Sequence, residues 1–236
     1  MQRAKKFLII FSITIGSLLL IGVIAAMIIG PRIKEITVTQ INKQLKDSVQ
    51  VDNIDFSFIR MFPYASVELK GVSSDGAKIP NAKNPLIKAE SIFFLFNIWD
   101  VFGNDLKLKK ISLHNAALNL YTSKNGKNNF DIFKKDTIPS TTNETVKLAI
   151  ESFELIDVDF HYRNNEINHA YDLSFLNTEF KGAFTSDVYD LKANGDLYVM
   201  QLAMNNVNYI DHKNVHLDLQ TNINTTTESY VFSNSK

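Results

Sequence analysis

From Val49 onward the apolar residues recur with a period of two, and this alternation limits what the chain can fold into. Ile54, Phe56 and Phe58 alternate with Asp55 and Ser57, and Val67 and Leu69 with Glu68 and Lys70. Val158, Phe160 and Tyr162 stand among Asp157, Asp159, His161 and Arg163, while Leu191, Ala193, Leu197 and Val199 stand among Lys192, Asn194, Asp196 and Tyr198. The longest run sets Val215, Leu217, Leu219, Thr221 and Ile223 against His216, Asp218, Gln220 and Asn222. Successive side chains of a strand point to opposite faces, so these segments predict half-buried antiparallel strands, each with one apolar face. Residues 92–98 (IFFLFNI) are apolar at both parities and need cover on both faces, or a helix pressed against them.

Several runs change parity. Val49 and Val51 hold one face and Ile54, Phe56 and Phe58 the other, and Leu106 and Leu108 give way to Ile111 and Leu113. One inserted residue turns a strand over, so β-bulges are expected near Asp52–Asn53 and Lys109–Lys110. Turn signals stand at Asp75-Gly76, Asn125-Gly126, Asn164-Asn165 and Asn205-Asn206. The polar stretch 134–146 reads as a loop or joint between a first β segment (49–133) and a second (147–236). The chain closes on what reads as a strand, a turn and the opening of another strand. A sheet stopping at an unpaired edge is an aggregation hazard, so the expectation is the N-terminal part of a longer β structure, incomplete at its C-terminal edge.

Ahead of the strands, residues 7–30 carry no charge and follow a basic stretch containing Arg3, Lys5 and Lys6. As a helix the run rises about 36 Å, enough to cross a hydrocarbon core of about 30 Å with some tilt. The positive residues before it favour a cytoplasmic N-terminus (residues 1–6), with the bulk across the membrane. The alternative, a cleaved signal peptide, calls for a run of about 7–15 residues and a small-residue cleavage site. Here Ala25-Ala26 leads instead into Met27, Ile28 and Ile29. Either reading exports the rest of the chain. Pro31 can open a new helix, and Ile33, Ile36, Ile41, Leu45 and Val49 recur at spacings compatible with an amphipathic helix over 31–48. Such a helix lies on headgroups or caps the sheet.

Lys+Arg and Asp+Glu both number 25, so nothing in the net charge steers the chain toward nucleic acid, which calls for a basic face. The absence of cysteine removes disulfides, thiolate-ligated zinc and thiol catalysis. His212 and His216 are four apart in a strand-like run, about 13 Å, too far for one metal. Asp157 and Asp159 share a strand face without forming an acid/base pair, and phosphate-loop, dinucleotide and nucleophile-elbow patterns are missing. The reading is therefore not an enzyme, with no cofactor and no metal.

An ordered series of short patterns carries a family resemblance. After the anchor come PRIKEI (31–36), VDNIDFSF (51–58), Phe62-Pro63 and ASVELKGV (65–72). KAESI (88–92), LKKISL (108–113), NLY (119–121), GKNNFDIF (126–133) and LAIESFEL (148–155) follow. This series resembles the N-terminal region of AsmA-like proteins, relatives of repeating β-groove lipid-transfer proteins. The resemblance implies a single-pass protein of the bacterial inner membrane with its bulk in the periplasm, serving outer-membrane biogenesis and lipid homeostasis. It implies a mostly β fold in which a transmembrane helix and a short amphipathic helix precede a curved, mainly antiparallel sheet shaped as a half-pipe. Acyl chains of phospholipid would lie along the apolar side, at about 0.8 kcal/mol per buried CH₂. Candidate lipid-facing residues are Ile54, Phe56, Phe58, Phe94, Phe96, Val158, Phe160, Leu197, Val199, Leu217 and Leu219. Two other readings stay open. These side chains could close on one another as an ordinary core, or the chain could be an assembly factor that binds a periplasmic or outer-membrane protein and no lipid.

Overall fold

The computed structural model describes residues 46–57, 60–61, 64–80, 84–97, 106–132, 146–184, 188–224, 226–227 and 229–235, with backbone alone at 106–107, 146–149 and 233–235. The anchor expected over 7–30, and all but the last three residues of the helix expected over 31–48, lie outside this set.

The regular elements among the described residues are all strands: β1 (Asn53–Ser57), β2 (Tyr64–Ser74), β3 (Ile87–Asn97), β4 (Leu106–Thr122), β5 (Val146–Asn164), β6 (His169–Lys181), β7 (Val188–Met204), β8 (Val207–Asn224) and β9 (Ser229–Ser235). They form one unclosed, curved nine-stranded sheet in sequence order. All neighbours pair antiparallel except β4 and β5, which run parallel. The sheet is thus two meanders, β1–β4 and β5–β9, joined by one parallel pair. The polar stretch 134–146 expected to divide the chain lies, but for Val146, outside the described residues. Asn205 and Asn206, both at positive φ, make the two-residue turn from β7 to β8. Asn164 Oδ1 accepts the Glu166 and Ile167 N–H groups to turn β5 into β6.

A seam of irregular residues crosses β1 to β6 in register. Asp52 lies against Gly71, Gly71 stands opposite Glu90, Glu90 opposite Asn115, Asn115 beside Asp157, and Asp157 opposite Leu176. Gly71, Asn115 and Asp157 have φ of 59°, 47° and 53°. Only glycine adopts that region freely, and Asn, Asp and His tolerate it best among the rest. At the seam each strand changes parity: Leu69 to Val72, Ile92 to Ala89, Leu113 to Ala116, Leu155 to Val158 and Phe180 to Phe175. The parity change at the crossing keeps the apolar side chains on one face while the pairing register runs through unbroken.

No bulge stands near Asp52–Asn53, where one was expected: the parity changes there at the seam, one residue facing one. The Asp52 N–H donates to Lys70 O, Gly71 answers on the facing strand, and the register from Gln50↔Ser73 to Asn53↔Lys70 is unchanged. The one expected near Lys109–Lys110 is present against β3, where Lys109 is the extra residue, and against β5 the register shifts the other way, three β5 residues facing Lys109. At β6 the seam ends as a bulge against β7, between Phe175 and Asn177. A second, shorter seam on β7 and β8 sets Met200 opposite His212 (φ 50°). There the apolar parity passes from Val199 to Leu202 and from Val215 to Ile210.

Candidate functional site: the apolar face

Register converts the alternation of single strands into rows that cross the sheet. One row runs Phe56, Val67, Phe94, Ile111, Phe153, Phe180, Ala193, Leu219, from β1 to β8. The next runs Ile54, Leu69, Ile92, Leu113, Leu155, Thr178, Gly195, Leu217. Beyond the seam come Val72, Ala89, Ala116, Val158, Phe175, Leu197, Val215, and then Ile87, Leu118, Phe160, Leu173, Val199, Lys213. Members of these rows on both sides of the seam belong to one apolar cluster.

The rows are most buried beside the seam and open toward the last strands. Val158 is 1% exposed, and Ile54, Leu197 and Val199 are also buried, so these four sequence-derived candidates form a packed floor. Phe94, Phe96, Phe160, Leu217 and Leu219 are half-buried, and Phe56 is 42% exposed, so these six keep surface available to a ligand. All ten share one face; Phe58 lies outside the described residues. On β9, Phe232 pairs with Thr221 and Tyr230 with Ile223, and both aromatics are more than 60% exposed. Sequence reasoning missed Leu113, Ala116, Phe153, Phe175 and Phe180, whose membership becomes visible only through register.

The opposite face is polar and internally paired. Glu68, itself buried, binds the Arg60 guanidinium and accepts from Ser91 Oγ at 2.7 Å. Lys110 reaches Glu154 at 3.1 Å and Glu179 at 3.4 Å, Ser112 donates to Glu154, and Ser152 donates to Glu179. Phe93 and Leu95 are buried on this side while Ile92, Phe94 and Phe96 take the other, which is the two-sided pattern read from residues 92–98. Burial raises the Asp172 carboxyl, but hydrogen bonds from Arg163 and His161 outweigh it and hold its pKa below the ordinary value. Burial lowers the pKa of His114, whose ring lies 4.7 Å from that of Phe93. No buried side-chain nitrogen or oxygen lacks a partner among the described residues.

Over the seam an open pocket of about 670 Å³ is lined by Asp52, Lys88, Glu90, Asn115, Asp157 and Asp159, among others. Among the described residues, no three His, Asp or Glu side chains come together to hold a metal ion. His212 and His216 are engaged separately, with Asp211 and Asp196.

The GKNNFD pattern has a structural role. Asn129 is fully buried: its Oδ1 accepts the Tyr121 N–H, its Nδ2 donates to Asn119 O, and its backbone exchanges bonds with Tyr121 O and Ala77 N. It supplies the β4 edge with hydrogen bonds where pairing to β3 stops at Leu118. Asp131 ties the same turn to Lys46 at 2.6 Å.

Fold and site together define a single curved sheet, open at its edges, with one face apolar across eight strands. No protein-family model, curated protein or solved structure matches this chain.

Proposed function

We propose that this chain is an AsmA-like protein that holds or passes phospholipid acyl chains along the apolar face of its sheet. It would do so from a single-pass anchor in the bacterial inner membrane, with the sheet in the periplasm, in the service of outer-membrane biogenesis. The observation that carries this reading is the continuity of the apolar rows over an unclosed sheet. The rows from β1 to β8 extend about 34 Å at roughly 4.8 Å per strand, twice the roughly 15 Å acyl depth of one leaflet. Half-buried Phe94 and Phe160 flank the packed floor, so a chain can lie on the rows without the floor opening. The test is photo-crosslinking in cells from Phe94 and Phe160, with the polar-face Tyr198 as control, followed by lipid mass spectrometry. Lipid adducts at the two phenylalanine positions and none at Tyr198 are expected; no adduct at any position overturns the proposal. A periplasm-dependent reporter fused after Lys236 checks the topology.

A second reading is favoured by a different observation. Among the described residues β9 has one partner strand; it exposes Tyr230, Val231 and Phe232 in succession and carries no charge from Ser229 to Ser235. Such an edge suits an assembly factor that adds a partner strand and binds no lipid. In that case crosslinks from Tyr230 recover protein, while Phe94 and Phe160 recover nothing.

A further inference from the structure

The apolar rows contain a single lysine, arginine, aspartate or glutamate, and that residue is Lys213. It pairs directly with Val199 across β7 and β8. Directly opposed residues of an antiparallel pair project from the same face. Its side chain therefore rises on the side of Ile210 and Val215, which pack against the apolar cluster. Lys213 is exposed and, among the described residues, makes no ion pair. The carboxylates of these two strands lie on the other face, where Asp211 engages His212 and Asp196 engages His216. β9 pairs with residues 219–224 alone, so the β8 backbone at Lys213 has no described strand on its outer side.

We infer that Lys213 is a headgroup contact, and that the face selects amphiphiles carrying an anionic phosphate or carboxylate beside the hydrocarbon chain. This inference rests on the chain-binding reading above. The row that ends at Lys213 begins at Ile87 on β3, about 24 Å away at roughly 4.8 Å per strand, and every member between is apolar. A chain laid along that row keeps its anionic head at the ammonium and at the solvated edge. An ammonium facing a desolvated hydrocarbon surface gains more from an anionic partner than an ordinary surface lysine does. The rival account makes Lys213 a guard against edge-to-edge pairing of β8, a known use of inward-pointing lysines. The two accounts differ in what removal of the charge changes.

The experiment uses the full chain in detergent with two fluorescent probes of identical acyl chains, phosphatidylglycerol and diacylglycerol. The parent chain should bind phosphatidylglycerol about tenfold more tightly, the factor expected of one charge-assisted contact. Lys213→Gln should abolish that preference and leave diacylglycerol binding unchanged, while Lys213→Arg should keep it. Inorganic phosphate should fail to displace either probe. A preference that survives in Lys213→Gln overturns the inference, and does so equally if that variant self-associates, which marks the edge guard. Displacement of phosphatidylglycerol by inorganic phosphate at comparable concentration makes the site a phosphate site and also overturns it. If neither probe binds the parent chain, the chain-binding reading falls first and takes this inference with it.

Discussion

Asp157 is the position at which the seam can be tested by sign rather than by size. It is exposed, sits within β5 at φ 53°, and stands next to Val158, the most buried apolar residue of the face. Were β5 regular here, replacing aspartate by valine would stabilise the strand, because the β-propensity scale spans about 1 kcal/mol and favours valine. The seam reverses that expectation. A β-branched residue in the left-handed region costs about 2 kcal/mol, and aspartate tolerates the region better than most. Glycine takes the conformation without strain but adds about 0.4–1 kcal/mol of unfolded-state entropy. Asp157→Gly should thus lie within about 0.5 kcal/mol of the parent, and Asp157→Val about 2 kcal/mol below it. The assay is equilibrium urea unfolding of the full chain followed by far-ultraviolet circular dichroism. With an m-value of about 2 kcal/mol/M, the valine variant should lose about 1 M in midpoint. A valine variant as stable as the parent, or more so, refutes the argument that Asp157 is held in the left-handed region.

Gly195 (φ 150°) has no room for a side chain: a Cβ there would sit 2.2 Å from Asn177 O and 2.4 Å from Thr178 Cα. Gly195→Ala should cost about 3 kcal/mol in the same urea experiment. Val158→Ala should cost about 2 kcal/mol, read as a midpoint shift at unchanged m-value. Asn129→Ala strands the Tyr121 N–H and the Asn119 carbonyl and should lose about 3 kcal/mol. Asn129→Asp, which cannot donate to Asn119 O, should fare no better at pH 7, as thermal unfolding would show. The depressed pKa of Asp172 makes its contribution to stability complete above the ordinary carboxylate value of 3.8 and lost as pH falls through the lower folded value. Asp172→Asn should therefore flatten the decline in melting temperature below about pH 4.

The strands were legible because period two is a local signal, and the run from Val215 to Ile223 sits inside β8 as read. Parity changes are local as well, and the one between Val51 and Ile54 and the bulge at Lys109 were both legible. The crossings at Gly71, Asn115, Asp157 and His212 were not, although each places a Gly, Asn, Asp or His where the apolar parity switches. What turns them into a seam is register, which depends on residues of neighbouring strands and is invisible within any one of them. For the same reason Ile54 and Val158, read as groove lining, are floor: they flank the seam, where burial is greatest. The parallel pairing of β4 with β5 carries no local mark either, since residues 123–145 reveal how far the chain travels and not where it returns.

The order of the strands sets how this protein must come apart. Each strand hydrogen-bonds as a ladder only with its neighbours in sequence, so the sheet approximates a one-dimensional chain of pairings, with local openings that need not spread. Hairpins such as β7–β8 close over a two-residue turn and can form early. The β4–β5 pair must wait for a much longer excursion of the chain to return. Amide exchange should therefore be fastest at β9 and β1, slowest in the strands beside Val158, and folding should show its slow step where the two meanders meet.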